Sequence, residues 1–132
     1  MELNELMKGC RTYRRFTQEP VDETVIREAL ENARITSSGA NKQPLYYYAV
    51  LSPEKVKAMQ PLVKWAAALP PELGTPKEGE QPTAFIVIVK KADAIAFADV
   101  DVGIAVHTLA LTAWNHGIGS CIMGSINIAQ IR

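Results

Sequence analysis

Apolar residues recur along this chain at two spacings, and the spacing changes from one segment to the next. Leu3, Leu6 and Met7 lie one helical turn apart and predict a short opening helix closed by Gly9. Pro20 and Asp22 introduce a second helix with Asp22 as its N-cap, and Val25, Ile26, Ala29, Leu30 and Ala33 form one stripe to bury. The polar stretch 36–44 (TSSGANKQP) predicts a loop whose closing Pro44 drives Gln43 towards extended backbone. Residues 45–51 (LYYYAVL) read as a strand. Ser52 and Pro53 start a helix, with the Ser52 hydroxyl as cap, that is expected to run to about Leu69 with a kink at Pro61. Prolines and glycines make 70–82 a surface loop. The β-branched run 84–89 (AFIVIV) predicts a central strand covered on both faces.

Residues 99–115 form the longest predicted helix, apolar nearly all round through Val102, Ile104, Val106, Leu109, Leu111 and Trp114. A helix apolar on every side is packed on every side, in a core or against a second subunit. For a chain of 132 residues the subunit interface is the expected destination. Gly117 and Gly119 end this helix, and 120–123 is expected to form a further strand. No repeat or composition shift divides the chain, so residues 1–132 are taken as a single domain.

Composition narrows the class. With 48% hydrophobic and 21% charged residues the chain is ordinary globular protein, not a disordered linker. Lys plus Arg and Asp plus Glu each total 14, and a zero balance argues against a dedicated nucleic-acid binder. The two cysteines, Cys10 and Cys121, make neither a disulfide framework nor a zinc pattern, which points to a reducing cytosol. The opening residues carry Glu2, Glu5 and Lys8 and are not a signal peptide, and the apolar run 102–114 is too short to span a bilayer. A cytoplasmic protein without membrane attachment is expected. The balanced totals hide a local asymmetry: 9–18 (GCRTYRRFTQ) holds Arg11, Arg14 and Arg15 with no acid, whereas 92–131 holds only Asp93, Asp99 and Asp101.

Three loops carry candidate chemistry. The guanidinium forks and hydroxyl of 11–15 (RTYRR) suit a phosphate, although a solvated loop is an equally simple reading. Asn and Gln in 37–44 (SSGANKQP) present donors and acceptors that suit a heterocycle edge, or an ordinary turn. The glycines of 117–125 (GIGSCIMGS) do not have dinucleotide-loop spacing and follow a helix rather than a strand, so they are read as allowing close backbone approach to something flat. His107 and His116 have no partners at metal-binding spacing, and His107 is expected to be a buried, hydrogen-bonded helix residue. Cys10 beside Arg11 lacks a base or a resolving cysteine and is read as structural.

Taken in order, these loops resemble one family. The segment 11–16 (RTYRRF) followed by Pro20 and Val21 is similar to the RRSxRxF…PV opening of the FMN-dependent nitroreductases. The segment 38–44 (SGANKQP) resembles their SAxNxQPW/F motif, and 101–105 (DVGIA) with 117–121 (GIGSC) resembles DxGxAxxN…LxAxxxGLGSC. The resemblance implies an α+β fold, a mainly antiparallel central sheet flanked by helices, in an intertwined homodimer with FMN at the subunit interface. It implies that Arg11 and Thr12 contact the FMN phosphate and ribityl region, and that Arg14 reaches the pyrimidine end near N1 and O2. Ser38, Gly39 and Asn41 are implied to come from the partner subunit, while Met123 and Gly124 pass the flavin face and edge with backbone amides near N5 and O4.

The implied activity is hydride transfer from NADH or NADPH through the flavin to a nitroaromatic, quinone or similar small acceptor, by a ping-pong mechanism in which the flavin carries the chemistry. Variable loops such as 70–82 are implied to line the acceptor pocket. Three departures stand out: Cys10 where the family often has its first Arg, His107 in place of a Gln or Asn, and an end at Arg132 where members continue with another strand and a C-terminal segment. The expectation is a minimal member or one whose C-terminal part is absent. The alternative function is a non-catalytic flavin-binding, dimeric protein of the same fold; a nucleotide or RNA binder is disfavoured by the zero net charge.

Overall fold

The computed structural model describes residues 1–131. Eight elements follow one another: α1 (Leu3–Gly9), α2 (Glu23–Ile35), β1 (Leu45–Val50), α3 (Pro53–Met59), α4 (Pro71–Gly74), β2 (Phe85–Lys90), α5 (Ala98–Asn115) and α6 (Ile128–Ile131). Single 3₁₀ turns lie at Gly39–Asn41 and Gln60–Leu62. The chain is α+β, as the family resemblance implies.

Helix α2 begins as expected, with the Asp22 carboxylate accepting the Thr24 N–H at 2.8 Å and the Thr24 hydroxyl at 2.8 Å. Those two bonds hold the Asp22 carboxyl below its ordinary range. The buried stripe of α2, Val25, Ile26, Ala29 and Ala33, packs along α5, where Ala105 and Leu109 face it. Asn32 Nδ2 donates to Thr112 Oγ1 at 3.0 Å across the same seam. Helix α5 ends in a Schellman motif: Gly117 N–H donates to Trp114 O at 2.8 Å and Ile118 N–H to Ala113 O at 2.9 Å. Gly117 takes φ 75°, a conformation open to glycine.

Strands β1 and β2 pair antiparallel with Leu45 opposite Lys90 and Val50 opposite Phe85. One face, with Leu45, Tyr47, Ile86 and Ile88, closes onto the α2–α5 seam; the other leaves Tyr46, Tyr48 and Val89 exposed. Strand β2 is therefore not the doubly covered central strand its composition predicts, because among the described residues its only neighbour is β1.

Four other expectations are corrected. The helix begun at Pro53 does not reach Leu69: it tightens at Gln60, and Val63 is extended (φ −117°, ψ 142°). Pro61 cannot donate to the ladder, and the chain beyond it pairs elsewhere, with Lys64 N–H donating to Ser125 O and Asn127 N–H to Leu62 O. The Ser52 hydroxyl makes no capping bond at the start of that helix. Residues 120–123 are not a strand; they contribute one parallel bridge, Thr12 to Ser120. His107 is exposed, on the face of α5 turned away from the core.

The core is thin. Five of its nine buried hydrophobic residues are alanines, Ala29, Ala33, Ala98, Ala105 and Ala110, and no large side chain is fully enclosed among the described residues. The accessible surface is 8925 Å² for 14.5 kDa. A folded monomer of that mass exposes about 6,900 Å², so roughly 2,000 Å² is in excess.

Candidate functional site

The segment after α1 runs extended beside the segment after α5. Tyr13 N–H donates to Ser120 O at 2.9 Å, and the Tyr13 ring stacks on Trp114 with centroids 5.1 Å apart and planes 19° apart. Two glycines permit this approach: a Cβ at Gly9 would come within 2.5 Å of Trp114 Nε1, and one at Gly119 within 2.7 Å of the Tyr13 ring. The flat group that Gly119 accommodates is thus an aromatic ring of the same chain.

The three arginines of this segment have separate fates. Arg11, exposed, folds one guanidinium nitrogen back onto Met7 O at 3.0 Å and Cys10 O at 2.7 Å, at the carbonyl end of α1. Its other donors stay open. Arg15 turns to the 70–82 loop, with Nε 2.9 Å from the Glu80 carboxylate and further bonds to Glu72 O and Leu73 O. Arg14 is left with a buried Nε that has no hydrogen-bond partner among the described residues. A buried donor without an acceptor is costly and marks where an acceptor belongs. Arg14 also lies close enough to Cys121 for its charge to oppose the burial that pushes that thiol up. Met123, half-buried, and Gly124, exposed, follow on the same segment.

The second loop is built differently. Ser38 Oγ donates to Asp101 Oδ2 at 3.0 Å, Gly39 N–H donates to Asp101 Oδ1 at 2.9 Å, and Gln43 N–H donates to Ser38 Oγ at 3.0 Å. Asp101 is 4% exposed. The Phe97 ring lies over Gly39, where a Cβ would overlap it. Asn41 is exposed, and its side chain makes no hydrogen bond among the described residues. A shallow cleft beside this turn is lined by Ser38, Gln43, Pro44, Tyr47, Asp101 and Ala105. Burial, reinforced by the negative Asp101, pushes the Tyr47 hydroxyl above its ordinary value.

The structure brings Thr12 alongside Ser120 and Arg14 near Cys121, with Met123 and Gly124 next along that segment. It brings Ser38 and Gly39 together on Asp101, while Arg11 turns back onto α1 and Asn41 stands exposed. Tyr13 ties the first segment to Trp114 in the last turn of α5, and Asp101 lies in its first turn. Thirteen residues of helix separate these anchors, about 20 Å at 1.5 Å per residue. The roles of Asp101 and Arg15 escape the sequence reading. The signals for Asp101 are its place at the head of the DVGIA motif and, with Asp99, its being one of two acids at the start of a helix that otherwise has no Asp, Glu, Lys or Arg.

Among the described residues no three His, Cys, Asp or Glu side chains converge to hold a metal, and no helix is long and apolar enough to cross a membrane.

Comparison with known proteins bears on this geometry. A sequence profile described as the Nitroreductase family matches residues 7–132. No curated protein matches the chain. Among solved structures, a nitroreductase family protein from Clostridium novyi NT superposes with a TM-score of 0.79 at 20% identity, over 99% of this chain and 74% of that one. An FMN-dependent nitroreductase from Clostridium difficile R20291 gives 0.72 at 23% identity, over 93% and 60%. Oxidized iodotyrosine deiodinase bound to FMN and 3-iodo-L-tyrosine gives 0.77 at 18% identity, over 98% and 78%. At these identities the likeness is one of fold, and the chain spans between three-fifths and four-fifths of each solved chain.

Proposed function

Because the chain belongs to the nitroreductase family, we propose that it is one subunit of an FMN-dependent oxidoreductase that takes electrons from NADH or NADPH and passes them to a small acceptor, a nitroaromatic, a quinone or a similar molecule, in two successive half-reactions. The observation that carries this reading is the division of the site. One chain holds two half-sites about 20 Å apart along α5, so a single ligand meets both only if a second copy brings its opposite end alongside.

The outward face of α5 supports such a pairing. Val100, Gly103, Ile104, His107 and Leu111 lie within one stripe opposite the buried Asp101, Ala105 and Leu109. The surface excess of roughly 2,000 Å² per chain matches what obligate partners bury, about 2,000–5,000 Å² in total. A two-fold pair through this face makes two equivalent sites. Near-zero net charge and two free cysteines fit a subunit working in a reducing cytosol.

The residues present fit FMN. Arg14 has the buried, unpartnered Nε that an acceptor atom would satisfy, and Arg11 keeps open donors for a phosphate. When bound, FMN supplies the two-electron chemistry. The chain's part is to hold and tune it. Arg11 and Thr12 take the phosphate and ribityl end, and Arg14 sets positive charge against the pyrimidine end. Met123 and Gly124 offer backbone amides along the flavin edge. Ser38, Gly39 and Asn41 of the second copy close the other side, with the free Asn41 amide as donor and acceptor. The presence of a deiodinase among the structural neighbours supports leaving the acceptor class broad.

The test is the colour of the purified protein. A two-band flavin spectrum and release of FMN, one per chain, are expected, with NADH or NADPH consumed in the presence of a nitroaromatic or quinone. Arg14→Ala is expected to weaken FMN retention about 10- to 100-fold, the weight of a hydrogen bond to a charged group, while the pair of subunits persists. A colourless protein that takes up no added FMN refutes the reading; uptake of FMN without turnover leaves a binding protein in place of an enzyme.

A further inference from the structure

The turn at 38–43 is held against the preference of its own residues. Ala40 (φ 49°, ψ 26°), Asn41 (φ 52°) and Gln43 (φ 48°) all lie in the left-handed region. A Cβ disfavours that region, and only glycine enters it freely. Packing does not enforce the shape, because residues 40–43 are all exposed. The bonds inside the turn, Asn41 N–H to Ser38 O at 2.9 Å and Lys42 N–H to Gly39 O at 3.0 Å, close it without fixing it to the rest of the fold.

That attachment comes from Asp101. Its two carboxylate oxygens receive the Ser38 hydroxyl and the Gly39 N–H, and the Ser38 oxygen in turn receives the Gln43 N–H. One buried carboxylate thereby holds both ends of the strained run. No Lys, Arg or His forms an ion pair with Asp101 among the described residues. Its charge is matched by these donors and by the first turn of α5, the positive end of the helix dipole. The chain of bonds also engages the single Ser38 hydroxyl hydrogen, which leaves the Asn41 amide, beside the exposed Lys42 and Gln43 side chains, as a polar group of the turn open to a ligand.

We propose that Asp101 is a positioning residue that clamps Ser38 and Gly39, and through Ser38 the Gln43 amide, so that the turn presents Asn41 to the flavin held by the other subunit. This rests on the FMN reading above. Asp101 does not touch the cofactor: it is buried behind the turn with both oxygens occupied.

The experiment compares Asp101→Ala, Ala40→Gly, the double variant and Ser38→Ala with the wild type, reading FMN affinity by titration of the apoprotein and Gly39 and Gln43 amide exchange by NMR. Asp101→Ala is expected to speed exchange at both amides and weaken FMN about 10- to 100-fold, the loss of two charge-assisted bonds. Adding Ala40→Gly to it is expected to recover part of that affinity, about fivefold, because glycine accepts the left-handed backbone without the clamp. A purely structural role for Asp101 predicts no such recovery. Affinity within twofold of wild type in Asp101→Ala, or lost affinity that Ala40→Gly leaves unchanged, overturns the proposal. If Asp101→Ala does not fold, Ser38→Ala reads the same clamp: faster Gln43 exchange with weaker FMN binding supports it, and neither change overturns it. A wild type that takes up no FMN defeats the FMN reading instead, and the two exchange rates then decide whether Asp101 holds the turn.

Discussion

Gly103 offers the cleanest test of assembly. It lies mid-way along α5 on the outward stripe, and a Cβ built there meets nothing within 4 Å, so one copy of the chain has room for a side chain at this position. Gly103→Glu also replaces a poor helix former, which favours α5 in the isolated chain by about 0.5–1 kcal/mol. In a two-fold pair formed through this face the same change buries a carboxylate in each subunit, among Val100, Ile104 and Leu111, with His107 the only polar neighbour on the stripe. An unpaired buried charge costs about 3–5 kcal/mol, and two cost about 6–10 kcal/mol. At 1.4 kcal/mol per decade that weakens the pair by about 10⁴-fold or more. Sedimentation velocity at micromolar concentration is the assay. The wild type should run at twice the 14.5 kDa chain mass and the variant at the mass of one chain with its helical circular dichroism intact. Flavin should be lost with the pairing, since each proposed site draws on both copies. A variant that sediments as the wild type does, or a wild type that sediments as a single chain, refutes the reasoning.

Two further outcomes test the fold beneath the site. Leu109→Ala removes the largest side chain of the buried cluster with Ala29, Ala33 and Ala105, and a loss of about 2–5 kcal/mol in urea unfolding is expected; a loss under about 1 kcal/mol would mean the seam is not tightly packed. Asp22→Ala removes the α2 cap, and because folding lowers the Asp22 pKa, its contribution is present above the ordinary carboxylate range and disappears as pH falls through the folded value. The stability gap between wild type and Asp22→Ala, measured by denaturant titration, should therefore be full at neutral pH and close in acid. An equal gap at both rules out the carboxylate as its source.

Much local chemistry was legible in the chain, and long-range pairing was not. Two local readings fail: the Ser52 cap does not form, and Gln43 takes a left-handed backbone in place of the extended one expected before Pro44. The α2 stripe, its Asp22 cap and the glycine stop of α5 each depend on residues within a turn of one another, and each forms as predicted. The helix after Pro53 stops short because residues 62–64 pair with 125–127, a partnership with no trace in the local pattern. Segment 120–123 carries a strand-like composition but makes a single bridge, Thr12 to Ser120, among the described residues. The site divides in the same way. Three arginines in five residues suit either an anion site or a solvated loop, and their sorting depends on Glu80 and the carbonyls of Glu72 and Leu73, far along the chain. Ser38 and Gly39 were legible as a polar turn, whereas their commitment to Asp101 spans more than sixty residues.

The attachment of the 70–82 loop has a consequence for how this scaffold can change. Arg15 grips Glu72 O and Leu73 O, Phe16 N–H reaches Glu80 O at 2.9 Å, and Gln18 Nε2 reaches Gln81 O at 3.0 Å. Among the described residues, the Glu80 carboxylate, facing Arg15, is the one loop side chain that bonds to the arginine segment. A carbonyl accepts a hydrogen bond whatever residue carries it. Most of these moorings are thus written in the arginine segment, and the loop's exposed side chains other than Glu80 are free to change without casting it off. One part of the chain keeps a fixed grip while the exposed face of its neighbour can be rewritten by substitution alone.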